Sequence, residues 1–420
     1  MDMNDVDIPD EYITNISSII IRNEVKMFKK EADIYEIINT LLEKNQSEDP
    51  FFVVNLGDVV RQYKKWMTHL PNVKPFYAVK CNPDPVILKL LANLGCAFDC
   101  ASKNEIAKII GMGVDPHDII FANPCKLSSQ IKFSRAHDVD LLTFDSENEL
   151  YKIKLYHPEA NLLLRIKTDD SKSLCQFSCK FGADMNEVKE ILSVAKGLKM
   201  NVTGLAFHVG SLCKDANSYA NSIKDAREVF NIAKELGFKF VTINLGGGYP
   251  GIDTDEISFK DIALVINNAI TDYFSDIQNL NVIAEPGRFF VASSHTLILN
   301  VMNKKVRIDN ETGEKNITYY VDDGVYNSLN NLIMDHFVVN ETNLFPFNER
   351  HEKKYKCVIY GPTCDSGDII TNNIMLPDLT VGETLLINGC GAYVRMWTPH
   401  STEIAGFNGF TYTEPKYVLN

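Results

Sequence analysis

No stretch of this 420-residue chain approaches the roughly 20 consecutive apolar residues that a membrane-spanning helix requires. The acidic start, MDMNDVDIPDEY, also lacks the basic flank of a secretory signal. Both absences point to a cytoplasmic protein without a membrane partner. Basic residues are not in excess: 42 Lys and Arg stand against 55 Asp and Glu, a net charge of −13. Nucleic-acid binding rests on a basic footprint, so a nucleic-acid partner is not expected. The acidity suits a cationic ligand, although solubility alone accounts for it. The ten cysteines form no CxxC pair and no regular spacing. In a chain without a secretory signal they read as reduced thiols, not as a disulfide framework. No His/Cys cluster has structural-zinc spacing, and no metal is expected. Low-complexity tracts are absent. At 45% hydrophobic and 23% charged residues the chain has the composition of a soluble globular protein. Its length exceeds one compact core, so two domains are expected.

One unit recurs eight times between residues 74 and 290: a short apolar run, a polar or Gly-rich break, then an amphipathic stretch. The runs are Phe76–Val79, Ala97–Asp99, Ile119–Ala122, Leu141–Phe144, Leu162–Ile166, Val202–Phe207, Phe240–Leu245 and Val282–Ala284. Uninterrupted strand–helix alternation of this kind predicts a (β/α)8 TIM-like barrel. Helix signals agree with it. Ser102 stands three residues before Glu105 in capping-box spacing, Ser146 precedes the run Glu147–Tyr156, and Gly237 follows Ala226–Glu235 as a stop. Upstream, Ile34, Ile37, Ile38, Leu41 and Leu42 predict a helix over Asp33–Glu43, Phe51–Val54 reads as a strand and Asp58–Leu70 as a helix. Beyond about residue 290 strand-like runs take over: Thr296–Val301, Asn316–Val321, Tyr355–Tyr360 and Thr384–Ile387. The expected organisation is an N-terminal segment (1–50) that completes a C-terminal all-β domain (291–420), with the barrel between them (51–290).

The chemically loaded residues close the strands: Lys80, Asp99, Arg165, His208, Gly246-Gly247-Gly248 and Glu285. Barrel active sites are built at that end. Lys80 alone could simply reach for solvent. A partly desolvated lysine, however, is an amine nucleophile that can condense with an aldehyde. An aldehyde cofactor with a phosphate handle would need an anion cradle, and the loops after strands seven and eight supply one. The glycine run lets backbone N–H groups approach an anion, while AEPGRFF contributes Gly287 for close approach and Arg288 for charge-assisted hydrogen bonds. Glu285 could hold a pyridine nitrogen protonated, and His208, otherwise an ordinary buried histidine, could lie against the ring. This set of residues fits pyridoxal phosphate.

PFYAVKCN, FDCAS with Glu105, FANPCK, LLRI, FHVGS, GGGYPG, AEPGRF, GPTCDSGD and GAY follow one another in order over most of the chain. In these motifs it closely resembles the eukaryotic ornithine decarboxylases, pyridoxal phosphate enzymes of the alanine-racemase-like fold type III. The resemblance implies decarboxylation of L-ornithine to putrescine, the first step of polyamine biosynthesis, by a homodimer with shared active sites. It implies Lys80 as the lysine that carries the cofactor, Glu285 at the pyridine nitrogen, His208 on the ring face, and Ser211, Gly248, Arg288 and Tyr393 on the phosphate. It implies Asp99, Glu105 and Arg165 as a polar shell and Cys364 as the proton donor to the α carbon. Asp365, Asp335, Tyr326 and Phe407 are implied as substrate-binding residues, and Lys180 and Asp368 as a salt bridge across the dimer. An antizyme is implied as a further partner.

The chain departs from the family at three places. Ser366-Gly367 stands where the family has Gly-Leu in CDGLD, Met334 replaces an aromatic before Asp335, and the stretch between Tyr393 and Phe407 is longer. No long Pro/Glu/Ser/Thr-rich tail follows Tyr417. Two other readings compete: a related lysine or arginine decarboxylase, and a non-catalytic homologue of the antizyme-inhibitor kind. Alanine racemization has no use for the Cys364–Asp365 pair.

Overall fold

The structure is a computed structural model that describes residues 25–29, 32–44, 49–348, 352–394 and 413–420. The chain divides into two compact units. One spans Arg61–Phe290; the other combines the described residues up to Val60 with those from Val291 onwards.

The first unit is a closed parallel barrel of eight strands: Val73–Ala78, Ala97–Cys100, Ile119–Phe121, Leu141–Phe144, Asn161–Arg165, Asn201–Ala206, Thr242–Asn244 and Asn281–Ala284. Each strand pairs with the next in sequence, and the eighth closes on the first through Val282↔Val73. The interior is filled by Phe76, Ala97, Ile120, Leu163, Ala206 and Ile283. On the sixth strand Gly204 lies opposite Thr242, and a Cβ there would stand 2.7 Å from the Thr242 carbonyl carbon. Only glycine permits that approach.

Local chemistry sets the helix ends. Asp84 caps Pro85–Asn93 by accepting from Val86 N (2.9 Å) and Ile87 N (3.3 Å), with Pro85 at the first position. Helix Asn217–Glu235 ends in a Schellman motif: Gly237 (φ 84°) donates to Lys234 O and Phe238 to Ala233 O. Ser102 caps Lys103–Ile110 through Glu105 N, but the Glu105 carboxylate bonds Ala101 N at 2.5 Å, one residue before the cap, so the expected box is only half made.

Aromatic packing braces the loops after strands seven and eight. Trp66 lies edge-on to Tyr249 (4.9 Å) and stacks on Phe259 (5.4 Å), Phe259 meets Phe289 (4.3 Å), and Trp66 Nε1 donates to Val73 O. The Gln62 amide donates at 2.9 Å to both Gly251 O and Phe289 O and so ties the two loops together.

A wholly buried lysine holds the turn after strand three. Lys126 Nζ donates to Thr143 O (2.6 Å) and Asn123 O (3.0 Å) and pairs with Glu149 (2.9 Å), which Lys152 also reaches (2.5 Å). Burial pulls the Lys126 pKa down and Glu149 opposes the shift. Replacing one member of such a pair leaves an uncompensated charge. Lys126→Met should therefore cost about 3 kcal/mol in urea unfolding, and the double variant Lys126→Met, Glu149→Leu less.

In the second unit nine strands form one sheet among the described residues. His295–Ile308 is its longest strand. It runs antiparallel to Phe51–Asn55 and Thr384–Asn388 along its first half and to Lys315–Val321 along its second. Tyr355–Tyr360 and Ile369–Leu376 extend that side. Glu414–Leu419 lies between Phe51–Asn55 and Lys26–Met27, parallel to both. Helix Ile34–Lys44 covers the sheet, burying Ile37, Ile38 and Leu41 against Phe51, Val53, Ile298, Leu386 and Val418.

Two expectations are corrected here. Phe51–Val60, placed with the barrel by sequence pattern, lies in the second unit, because Phe51–Asn55 finds its hydrogen bonds in the sheet. Strand Ile369–Leu376 was not anticipated, since polar Thr371, Asn372 and Asn373 interrupt its alternation.

Candidate active site

The first barrel strand ends at Ala78, and Lys80 occupies a single 3₁₀ turn, Val79–Cys81, just beyond it. Its ammonium pairs with the carboxylate of Asp99, the inward-facing residue near the end of strand two. Asp99 is fully buried whereas the Lys80 side chain keeps 44% exposure, so the amine stands at an open side. The second oxygen of Asp99 is buried without a hydrogen-bond partner. Glu105 lies nearby; burial raises its pKa, opposed by the Ala101 N–H, and the charge of Asp99 adds to the rise.

Glu285 directly follows strand eight and is half-buried, and its pKa is pushed up to about 7, chiefly by loss of water and then by Asp99. Asn244, the last residue of strand seven, donates to it at 2.6 Å. The other end of the same amide accepts from Gly246 N at 2.9 Å. One fully buried side chain thus fixes both the carboxylate and the entry to the glycine run.

The run is crowded by backbone. A Cβ on Gly247 would stand 2.8 Å from His208 Nε2 and 2.9 Å from Glu285 O; one on Gly248 (φ 107°) would meet Gly210 O at 2.6 Å. Tyr219, buried in helix Asn217–Glu235, donates to Gly247 O at 3.0 Å and stacks on Tyr249. The guanidinium of Arg288 donates to Ser211 Oγ at 3.2 Å, so the two residues expected at a phosphate stand side by side. A Cβ on Gly287 would lie 2.9 Å from Cys81 Cβ.

His208 Nδ1 accepts from Gly210 N at 3.0 Å. Burial drives its pKa well below the ordinary value, and the positive charges of Arg165 and Lys80 push it the same way. The imidazole is neutral, and with Nδ1 an acceptor its proton sits on Nε2. Arg165 is itself held below its usual pKa by burial, with Glu285, Asp145 and Asp99 opposing.

After strand five the chain makes an excursion, residues 167–183, that pairs with Ser211–Cys213 as a two-stranded ribbon. Asp170 collects Phe177 N (2.5 Å) and Ser178 N (2.8 Å), and the Phe177 ring lies edge-on to His208 at 4.9 Å. Lys180 is exposed, its ammonium 4.9 Å from the Phe181 ring.

The remaining expected residues lie in the second unit. Tyr326 donates to Asp365, whose other oxygen accepts from Gly367 N at 2.9 Å. Both bonds, the Gly367 N–H first, hold the Asp365 carboxyl below its usual pKa. Cys364 is exposed. Asp335 is buried at the end of the short helix Asn331–Met334, and Met334 is 67% exposed. Tyr393 takes a left-handed backbone (φ 59°). Phe407, and the inserted stretch 394–406 beyond Val394, lie outside the described residues.

Within the single chain Asp368 has no exposed surface, and its carboxylate accepts from Val325 N (3.0 Å), Thr363 N (3.0 Å) and Thr363 Oγ1 (2.7 Å).

Sequence reasoning missed Asn244, Tyr219 and Asp170. Asn244 had a readable signal: an Asn two residues before a glycine run is placed to accept a local backbone N–H. Tyr219 and Asp170 had none.

Residues 56–292 match the family described as pyridoxal-dependent decarboxylase, pyridoxal binding domain. Ornithine decarboxylase of Rattus norvegicus is 42% identical over 387 residues, covering 90% of this chain and 82% of that protein. The chain belongs to the pyridoxal-dependent decarboxylases of the eukaryotic ornithine decarboxylase type. Antizyme inhibitor 2 of Xenopus laevis is 43% identical over 399 residues, covering 92% of this chain and 85% of that protein. Among solved structures, the arginine decarboxylase of Paramecium bursaria Chlorella virus superposes with a TM-score of 0.84 at 34% identity, covering 92% of this chain and all of that one. The lysine/ornithine decarboxylase of Vibrio vulnificus complexed with cadaverine gives 0.80 at 30%, covering 92% of this chain and 99% of that one.

Pyridoxal phosphate is the cofactor of this family, and the barrel mouth suits it. The glycine run is packed so closely that no side chain fits, Ser211 and Arg288 adjoin, Glu285 is a half-buried carboxylate held by Asn244, and Asp99 has a buried oxygen to spare.

Two predictions follow from the charges. The Glu285 pKa rises on folding from 4.5 to about 7, so in cofactor-free protein its contribution is most favourable below pH 4.5 and is lost as pH rises through 7. The loss amounts to up to about 3 kcal/mol. Glu285→Gln should therefore match the parent at pH 4.5 and melt higher at pH 8, as differential scanning calorimetry would show. His208 should show no NMR titration between pH 5.5 and 8; a midpoint in that range would mean that its ring is solvated.

Proposed function

We propose that the chain is a catalytically active ornithine decarboxylase that converts L-ornithine to putrescine. The observation that carries this reading is the complete charged set at one barrel mouth: Lys80 paired with Asp99, Glu285 held by Asn244, and Ser211 beside Arg288. A non-catalytic relative has no need to keep it, nor Cys364 and Asp365.

Bound pyridoxal phosphate supplies an aldehyde that takes up amines and a ring that draws electrons from the substrate's α carbon. The chain's residues do the rest. Backbone N–H groups of the glycine run, with Ser211 and Arg288, would hold the phosphate. Glu285, as a carboxylate, would favour a proton on the ring nitrogen. His208, its pKa pulled well below the usual value, would offer its ring to the cofactor without adding positive charge beside Lys80. Asp99 holds the Lys80 Nζ in place. Asp365, kept ionised by Tyr326 and Gly367, and buried Asp335 offer the carboxylates that a distal ammonium requires. Cys364 returns a proton to the α carbon. We assign Cys364 and Asp365 to the site of a second copy, in a head-to-tail homodimer with two shared sites.

The test is CO2 release from ornithine, lysine and arginine by purified protein with added pyridoxal phosphate, joined to borohydride trapping and peptide mapping. Ornithine should be preferred, the trapped cofactor should sit on Lys80, and Lys80→Ala should lose activity by orders of magnitude. Preference for arginine would change the substrate assignment, and failure to trap cofactor would favour the antizyme-inhibitor reading. Mixing Lys80→Ala with Cys364→Ala chains should restore about a quarter of the sites if copies exchange at random.

A further inference from the structure

We infer that Gln62 is the positioning residue that sets the two phosphate-binding loops of the barrel mouth at their working separation, an inference that rests on the phosphate roles proposed above for the glycine run, Ser211 and Arg288. The loops leave adjacent strands, Thr242–Asn244 and Asn281–Ala284, which are joined by ladder hydrogen bonds. Just past the strand ends Glu285 N donates to Gly246 O at 2.7 Å. A second tie comes from outside both loops. The Gln62 amide, buried on helix Leu56–His69, donates at 2.9 Å to Gly251 O in one loop and at 2.9 Å to Phe289 O in the other. The two ties bracket the segments that would grip the phosphate: residues 247–250 on one side and 286–288 on the other.

The chemistry of the tie is specific. An amide nitrogen carries two hydrogens, and here each goes to a different loop. The rest of the same helix face keeps Gln62 where it is. Lys65, three residues on, pairs with Asp253 at 2.6 Å, and Asp253 in turn accepts from Phe259 N at 2.9 Å. Trp66, four residues on, packs edge-on to Tyr249 at 4.9 Å. Residues three and four apart share one side of a helix, so one side of this helix grips the loop after strand seven at three points, and Gln62 alone of the three side chains also bonds the loop after strand eight through Phe289 O. The separation matters because the phosphate donors are divided between the loops: backbone N–H groups come from the glycine run, and the guanidinium comes from Arg288. Charge-assisted hydrogen bonds are short, and a dianion can make both sets at full strength only if the loops stand at one distance. The aldehyde and the ring carry no such demand.

The experiment compares the parent with Gln62→Met, which has a similar reach and no donor, and Gln62→Glu, which sets acceptor oxygens against two carbonyls. Asn267→Leu is the control: it removes a 2.9 Å bond that the same helix accepts through His69 O, away from both loops. The full chain, freed of cofactor, is titrated by equilibrium dialysis with pyridoxal phosphate and, separately, with pyridoxal, the same aldehyde without the phosphate. Melting temperatures are recorded alongside. Gln62→Met is expected to weaken pyridoxal phosphate binding by about 10- to 100-fold, the loss that follows when hydrogen bonds to a charged group are spoiled. Gln62→Glu should weaken it at least as much. Pyridoxal binding should stay at the parent's level in both, and Asn267→Leu should match the parent for both ligands even where its melting temperature falls. Equal losses for the two ligands in Gln62→Met, or no loss for either, would overturn the inference. A phosphate-specific loss in Asn267→Leu as large as that in Gln62→Met would also overturn it, since any loosening of the helix would then suffice. If Gln62→Glu does not fold, Gln62→Met decides alone. Should the parent itself bind pyridoxal as tightly as pyridoxal phosphate, the phosphate role of the two loops fails, a result distinct from a parent preference that Gln62→Met retains.

Discussion

A half-buried carboxylate just past the eighth barrel strand is the constraint around which the rest of the mouth is arranged. Drawing Glu285 partly out of water is unfavourable unless something meets its charge or keeps its proton. Until a pyridine nitrogen arrives, the Asn244 amide and a bound proton share that task. Asn244 can do so only because its other end is fixed by Gly246 N, and that link dictates how the glycine run leaves strand seven. Tyr219 then fixes Gly247 from outside, and the Trp66 cluster fixes Tyr249. The ring-nitrogen partner and the phosphate cradle are therefore one continuous construction, each end stiffened by the other.

Charge at the mouth is balanced by exclusion as much as by pairing. Loss of water, and then the positive charges of Arg165 and Lys80, pull the pKa of His208 well below its usual value. Its neutral ring offers a flat apolar face where a protonated one would add to the positive field. Asp99 then serves Lys80 through one oxygen and keeps the other available.

Much of this was legible in the sequence, for a physical reason. Parallel barrel strands are buried on both faces and read as short apolar runs, and the residues that end them are where polarity is permitted, so Lys80, Asp99, His208 and Glu285 announced themselves. What escaped notice were groups whose role depends on a distant partner. Tyr219 looks like any helix residue until Gly247 O is placed against it. The internal bonds of Asp368 in GPTCDSGD could not be read, because its donors, Val325 and Thr363, offer only backbone and a hydroxyl. Phe51–Asn55 preceded a barrel in sequence and belonged to a sheet in which both strands it pairs with come more than two hundred residues later.

That sheet has a bearing on how the protein is made. Glu414–Leu419 is not an edge strand among the described residues: it lies between Phe51–Asn55 and Lys26–Met27 and pairs with both. Closing a loop of that length carries an entropic cost that only grows, though slowly, with separation. During synthesis the barrel can close as soon as Asn281–Ala284 emerges, while Phe51–Asn55 must wait with one side unpaired until Glu414–Leu419 has been made. An exposed strand edge invites other chains. The interval between barrel closure and the synthesis of Glu414–Leu419 is thus when this strand edge is most open to mispairing.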